Sequence, residues 1–134
     1  TGAVEVKEFV LTHGAEEGEF DYQFIASQLV PDFGRSKGTA IVSVVVRRGE
    51  ESETISLTDL PGSTSGYHDI DFGHFQSLNG RIRVPPGLEV QQVIVDIQPG
   101  SDNLLGTSDS FAWLARGDDD IALKPAPPDE TESR

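Results

Sequence analysis

The chain has 134 residues, carries 23 acidic against 10 basic side chains for a formal net charge of −13, and contains neither cysteine nor methionine. A chain of this length builds one hydrophobic core and hardly two, and the lack of cysteine removes disulfides, thiolate catalysis and thiolate zinc sites. A strongly negative field opposes nucleic acid and direct adhesion to anionic lipid, and no apolar run approaches the roughly 18 residues of a membrane span.

Taken in chain order, Val4 and Val6 alternate and then change phase to Phe9 and Leu11, which predicts a strand with a bulge. A turn over His13–Gly18 leads to a second strand, with Phe20, Tyr22, Phe24 and Ala26 on one face and Asp21, Gln23 and Ser27 on the other. Pro31–Gly38 reads as a loop. Thr39–Arg48 reads as the most buried strand, because Ile41, Val42, Val44, Val45 and Val46 offer apolar groups to both faces. Gly49 and Glu50 make the turn into a short return strand, Thr54–Leu57, followed by the polar loop Pro61–Gly66. Tyr67–Phe75 alternates through Ile70 and Phe72, and a helical turn is expected, if anywhere, near Phe75–Leu78. Asn79-Gly80 signals a hairpin, since both residues tolerate the positive φ of a type I′ turn. Ile82 and Val84 mark a brief strand stopped by Pro85-Pro86-Gly87, Leu88–Ile97 a long one, and Ser108–Leu114 a closing strand with the sole tryptophan, Trp113.

About eight short, evenly spaced strands predict an all-β fold, an antiparallel β-sandwich either immunoglobulin-like or partly closed into a barrel, over residues 1–116. Residues 117–134 form an acidic, proline-containing tail expected to be disordered. That tail holds six acidic and two basic residues, so −9 of the −13 stays with residues 1–116 and the acidity belongs to the domain. Arginine outnumbers lysine seven to three, a balance that adaptation to high salt would also produce. The chain opens at Thr1 without methionine and is read as part of a longer protein, with any membrane anchor upstream.

Side chains capable of chemistry are scattered. His68, Asp69, Asp71 and His74 lie close in sequence, but extended geometry would separate the two imidazoles by roughly 20 Å and turn the carboxylates to the other face. A solvated strand is therefore the preferred reading over a metal or catalytic group. Gly62–Gly66 spells G-S-T-S-G, with Thr64 where a nucleophile elbow needs serine and no long helix to follow, so it reads as a flexible loop. Asp118, Asp119 and Asp120 lack the spaced ligands of a calcium loop, and the Arg116-Gly117-Asp118 tripeptide is too short to carry weight. Tyr67 and Trp113 are the candidate ligand-binding residues, as a stacking face for sugar rings, although core packing explains most aromatics. No catalytic residue, metal ligand or cofactor is expected.

The stretch Asp71–Pro99 places Phe72, Phe75, Gln76, Leu78, Gly80, Val84, Pro85, Gly87, Val93, Val95, Ile97 and Pro99 in a pattern of aromatic pair, glutamine, Leu-x-Gly, apolar-Pro-x-Gly and alternating strand. This is similar to the C-terminal domain of a family of proteobacterial envelope proteins without an assigned activity. Phe111-Ala112-Trp113 resembles the family's closing Phe-Asp-Trp, with alanine in place of aspartate. The likeness is looser over Val6–Leu60. It implies a periplasmic β domain carried by one inner-membrane helix and a coiled coil, sometimes encoded near bactofilin cytoskeletal proteins. The expectation is a non-catalytic protein-interaction or scaffolding domain with a protein partner in the cell envelope or a second copy of itself, reaching the membrane only through the upstream anchor. The alternative is a module that binds peptidoglycan or another carbohydrate.

Overall fold

In the computed structural model, which describes residues 1–114 and 121–126, ten strands follow one another: β1 (Gly2–His13), β2 (Glu19–Gln28), β3 (Ser36–Arg48), β4 (Glu51–Ser56), β5 (Tyr67–Phe72), β6 (Phe75–Arg83), β7 (Glu89–Pro99), β8 (Leu104–Leu105), β9 (Thr107–Ala112) and β10 (Ile121–Ala122). They form two five-stranded sheets packed as a β-sandwich. The first has the order β10-β1-β2-β6 and the second β4-β3-β7-β9; β8 joins the first through β1, and β5 joins the second through β3. The first sheet curls, and among the described residues the only helical element is a 3-10 turn at Leu57–Asp59, where the Thr58 N–H donates to Ser56 Oγ at 3.3 Å.

The phase change in β1 is a bulge. Its pairing with β2 shifts register between Lys7 and Val10, and Glu8 takes φ 56°, so that Val4, Val6, Phe9 and Leu11 all face inward. The period of two in β2 buries Tyr22, Phe24 and Ala26 against them. In β3 the apolar run buries Ala40, Val42, Val44 and Val46 and leaves Ile41 and Val45 partly covered on the outer face. Gly49 has φ 64° at the first central position of the β3–β4 hairpin, where a type II′ turn takes glycine. Pro85–Leu88 turns the chain into β7 with Gly87 at φ 85° and the Leu88 N–H donating to the Pro85 carbonyl at 3.2 Å, as in a type II turn.

Four expectations need correction. The Pro31–Gly38 loop ends early, because β3 starts at Ser36, where Gln28 Nε2 donates to the buried Ser36 hydroxyl at 2.8 Å. Phe75–Leu78 is strand and not a helical turn: Leu78 faces the core and Phe75 the solvent, and both are held in register by β2. Asn79-Gly80 makes no hairpin, since both residues pair with β2 in the middle of β6, opposite Gln23 and Tyr22. The reversal occurs earlier, at Gly73-His74, which carries the chain from the second sheet to the first.

The fourth concerns the tail. Ile121 and Ala122 pair with Leu11 and Val10 as β10, Leu123 is buried, and the Ala126 N–H donates to the Ser110 carbonyl at 2.9 Å. Residues 121–126 therefore belong to the folded domain, because two apolar side chains and an unfilled strand edge outweigh the polar composition around them. The rest of the expected tail, including Asp118, Asp119 and Asp120, lies outside the described residues, as does Arg116.

Candidate functional site

A sandwich of open sheets leaves strand edges with unused N–H and C=O groups, and these are where another chain can add. Most are closed here. The outer edge of β1 is paired with β8 at Gly2–Ala3 and with β10 at Val10–Leu11. Between them, Thr107 Oγ1 donates to the Val4 carbonyl at 2.9 Å, the Val6 N–H donates to Asp109 Oδ2 at 3.0 Å, and the Leu123 N–H donates to the Phe9 carbonyl at 2.7 Å. Residues 124–126 cover β9 through the Phe111–Pro125 bridge. At β5 the amide of Gln76 imitates a ladder rung, accepting from the Asp71 N–H at 2.9 Å and donating to the Asp69 carbonyl at 3.4 Å. The edge strand β4 is marked by Glu51 and Glu53, the latter paired with Arg48 at 2.9 Å, and charge discourages strand addition.

On β6 the cover is partial. The loop after the 3-10 turn lies along its C-terminal half: Thr64 N–H donates to the Arg81 carbonyl at 3.0 Å, Arg81 N–H to Thr64 Oγ1 at 2.9 Å, and Arg83 N–H to Ser63 Oγ at 2.8 Å. The G-S-T-S-G segment thus serves as an edge cover. Because residues 81 and 83 point outward from the sheet edge, the strand period puts the backbone groups of Ser77 and Asn79 on the same open side. None of the described hydrogen bonds engages those groups. Phe75–Gly80 carries no charge, and Phe75 is 66% exposed.

The outer face beside this open stretch is mixed: Ser77 and Asn79 stand opposite Ile25 and Gln23 of β2, with Glu5 and Lys7 beyond them on β1. Phe75 stands opposite Ser27; the Leu29 N–H donates to the Ala3 carbonyl at 2.9 Å, and Ala3 pairs with Leu105. Leu29 and Leu105 are 57% and 54% exposed, Leu29 just past the end of β2 and Leu105 on β8, beyond β1 and β2 from β6. No signal in the sequence separated these side chains from core residues, because their exposure follows from which strands become neighbours.

A polar pair bridges the two sheets. The Tyr22 hydroxyl from the first sheet meets His68 Nε2 from the second at 2.6 Å, beneath the Thr64 loop. Burial pushes the phenol up to about 12, against a smaller lowering effect of the Thr64 side chain, and burial pushes the imidazole below its ordinary value. Both groups are therefore neutral near pH 7, and the tautomer of His68 sets which of the two donates. Since the folded state holds the lowered pKa, the unfolded chain binds the proton more readily, and stability should fall as pH drops through about 6.5. Urea midpoints should thus be lower at pH 5.5 than at pH 7.5, and the difference should shrink in His68→Gln; an equal difference in that variant would assign it to other groups.

His68 and His74 do not share one strand. His68 points inward from β5, His74 sits in the exposed turn after it, and Asp69 and Asp71 face solvent. Asp71 accepts from Arg35 Nε at 2.8 Å, and that guanidinium holds its carboxyl below the usual range. Among the described residues no three His, Asp or Glu side chains gather in a metal-binding arrangement, and no helix is long and apolar enough to cross a membrane. His13 Nε2 is buried without a hydrogen-bond partner, its ring 4.9 Å from that of Phe20.

Tyr67 and Trp113 are not brought together. Tyr67 is exposed on the outer face of β5, whereas Trp113 follows β9 in the inward phase and packs edge-on against Phe20 at 5.1 Å. β3 and β7 separate the strands concerned.

Fold and surface together define a β-sandwich domain whose first sheet keeps one uncharged stretch of edge with an exposed phenylalanine. The chain belongs to DUF6776, a family of unknown function, whose model matches residues 1–95, from β1 into β7. No curated protein and no solved structure matches it.

Proposed function

We propose that this is a non-catalytic protein-interaction or scaffolding domain, standing in the periplasm at the end of a membrane-anchored coiled coil and taking an extended segment of an envelope protein onto β6. The observation that carries the reading is the open, uncharged edge at Phe75–Asn79, where the Phe75 side chain is exposed. Strand addition would satisfy its backbone groups, and the exposed Phe75 side chain would supply buried apolar area. A second copy of the chain is the competing occupant of the same edge. The carbohydrate reading has less support, because Tyr67 and Trp113 share no face on which a sugar could stack.

The test is capture from envelope extracts with the wild-type domain and with a Phe75→Glu, Ser77→Pro variant. Proline at Ser77 removes an edge donor that the domain itself does not use. The variant should keep its β-sheet circular dichroism and lose the captured protein by at least about tenfold. Recovery of the same proteins by both would reject the edge as the docking site, and a wild-type domain that sediments as a dimer only when the edge is intact would assign it to self-association.

A further inference from the structure

At the C-terminal end of β6, away from the open stretch Phe75–Asn79, residues of both sheets border a recess of about 650 Å³, within the range of ligand sites. Its apolar wall is formed by Phe20, Leu88, Val90 and Trp113, with the Phe20 and Trp113 rings meeting edge to face at 5.1 Å. Its rim is the turn between β1 and β2, which brings Glu16 and Glu17 to the mouth, both exposed. Arg83 is held by Glu16 at 3.2 Å and by the mostly buried Glu19 at 3.7 Å, and Arg81 reaches the same Glu19 oxygen at 4.0 Å. Three carboxylates thus face two guanidiniums, and Glu17 makes no ion pair among the described residues.

An aromatic and aliphatic wall beneath excess negative charge suits a cation on an apolar stem. We infer that this recess is a binding site for a lysine side chain presented by an extended segment of a polypeptide, its alkyl stem along Leu88, Val90 and Trp113 and its ammonium at Glu16 and Glu17. Lysine fits better than arginine because the carboxylates stand at a wet rim, where a compact hydrated ammonium needs no bidentate partner. The Trp113 face adds attraction for the cation, and the chain's net charge of −13 favours the approach of basic segments. The recess exceeds what a single stem fills, which leaves room for the flanking peptide. The site lies on the inner side of the sheets and does not depend on the β6 edge.

Trp113 is the only tryptophan, so its fluorescence reports occupancy directly. The full chain is titrated with an end-blocked Ala-Ala-Lys-Ala-Ala peptide, its Nε-acetyl-lysine counterpart and spermidine. A saturable change with the lysine peptide is expected and none with the acetylated one. Affinity should fall about fivefold or more in Glu16→Gln, Glu17→Gln, both solvent-exposed positions whose replacement leaves the core intact. The Phe75→Glu, Ser77→Pro variant should bind the peptide as the wild type does. Equal binding of the acetylated peptide, a response to spermidine alone, unchanged affinity in the double glutamine variant, or no response up to about 10 mM peptide would each overturn the assignment.

Discussion

Replacing Phe9 by alanine is expected to destabilise the domain by about 3–5 kcal/mol, the largest effect of any single truncation here. The ring is fully buried and lies 5.5 Å from Tyr22, 5.6 Å from Phe24 and 5.3 Å from Phe111, so it joins residues of both sheets. The bulge at Glu8 exists to aim it. If the same residues ran as a regular strand with no bulge, Phe9 would fall in the same phase as Lys7 and point outward. Truncation leaves a hole that a rigid pair of sheets closes poorly, and the loss is a large share of the roughly 5–15 kcal/mol that holds a domain folded. Urea unfolding of wild type and Phe9→Ala gives the difference directly. A loss below about 1 kcal/mol would mean that the seam between the sheets does not rest on this ring.

Gly80→Val should cost about 3 kcal/mol, the upper end for inserting atoms into a packed site. A Cβ at this position would fall 2.6 Å from Tyr22 Cζ and 2.7 Å from Thr64 Oγ1, and closer still to the Tyr22 hydroxyl. Either the phenol leaves His68 or the covering loop leaves the edge of β6. A double-mutant cycle separates this cause from ordinary strand propensity: Gly80→Ala should cost less in a Tyr22→Phe background, where the nearest atom is gone. Additive costs would show that the hydroxyl is not what requires glycine.

The same position explains why the hairpin reading of Asn79-Gly80 failed. Glycine signals positive φ in a turn, whereas Gly80 makes room for a ring across the strand pair, and local sequence does not distinguish the two uses. Gln76, Leu78 and Gly80 make up the inward face of β6, one sealing the edge of β5, one filling the core and one admitting Tyr22. The tract of aromatic, glutamine and Leu-x-Gly is thus a strand with three packing roles and not a turn. Polar composition misled in the same way over residues 121–126, where Ile121 and Leu123 suffice to dock the segment on β1 and the core.

Alternation of apolar and polar residues determined the β class, the bulge in β1, the inward face of β2, the buried character of β3 and the Gly49 turn, because each depends on the period of side chains along a single strand. Strand neighbours came only with the tertiary structure. They decided that Phe75 lies outside on an open edge, that Tyr67 and Trp113 diverge, that Tyr22 reaches His68 across the sandwich, and that Glu16 and Glu17 overhang the Trp113 recess. The physical reason is that a strand's pattern says which side chains share a face, while hydrogen bonding between distant strands sets what each face meets.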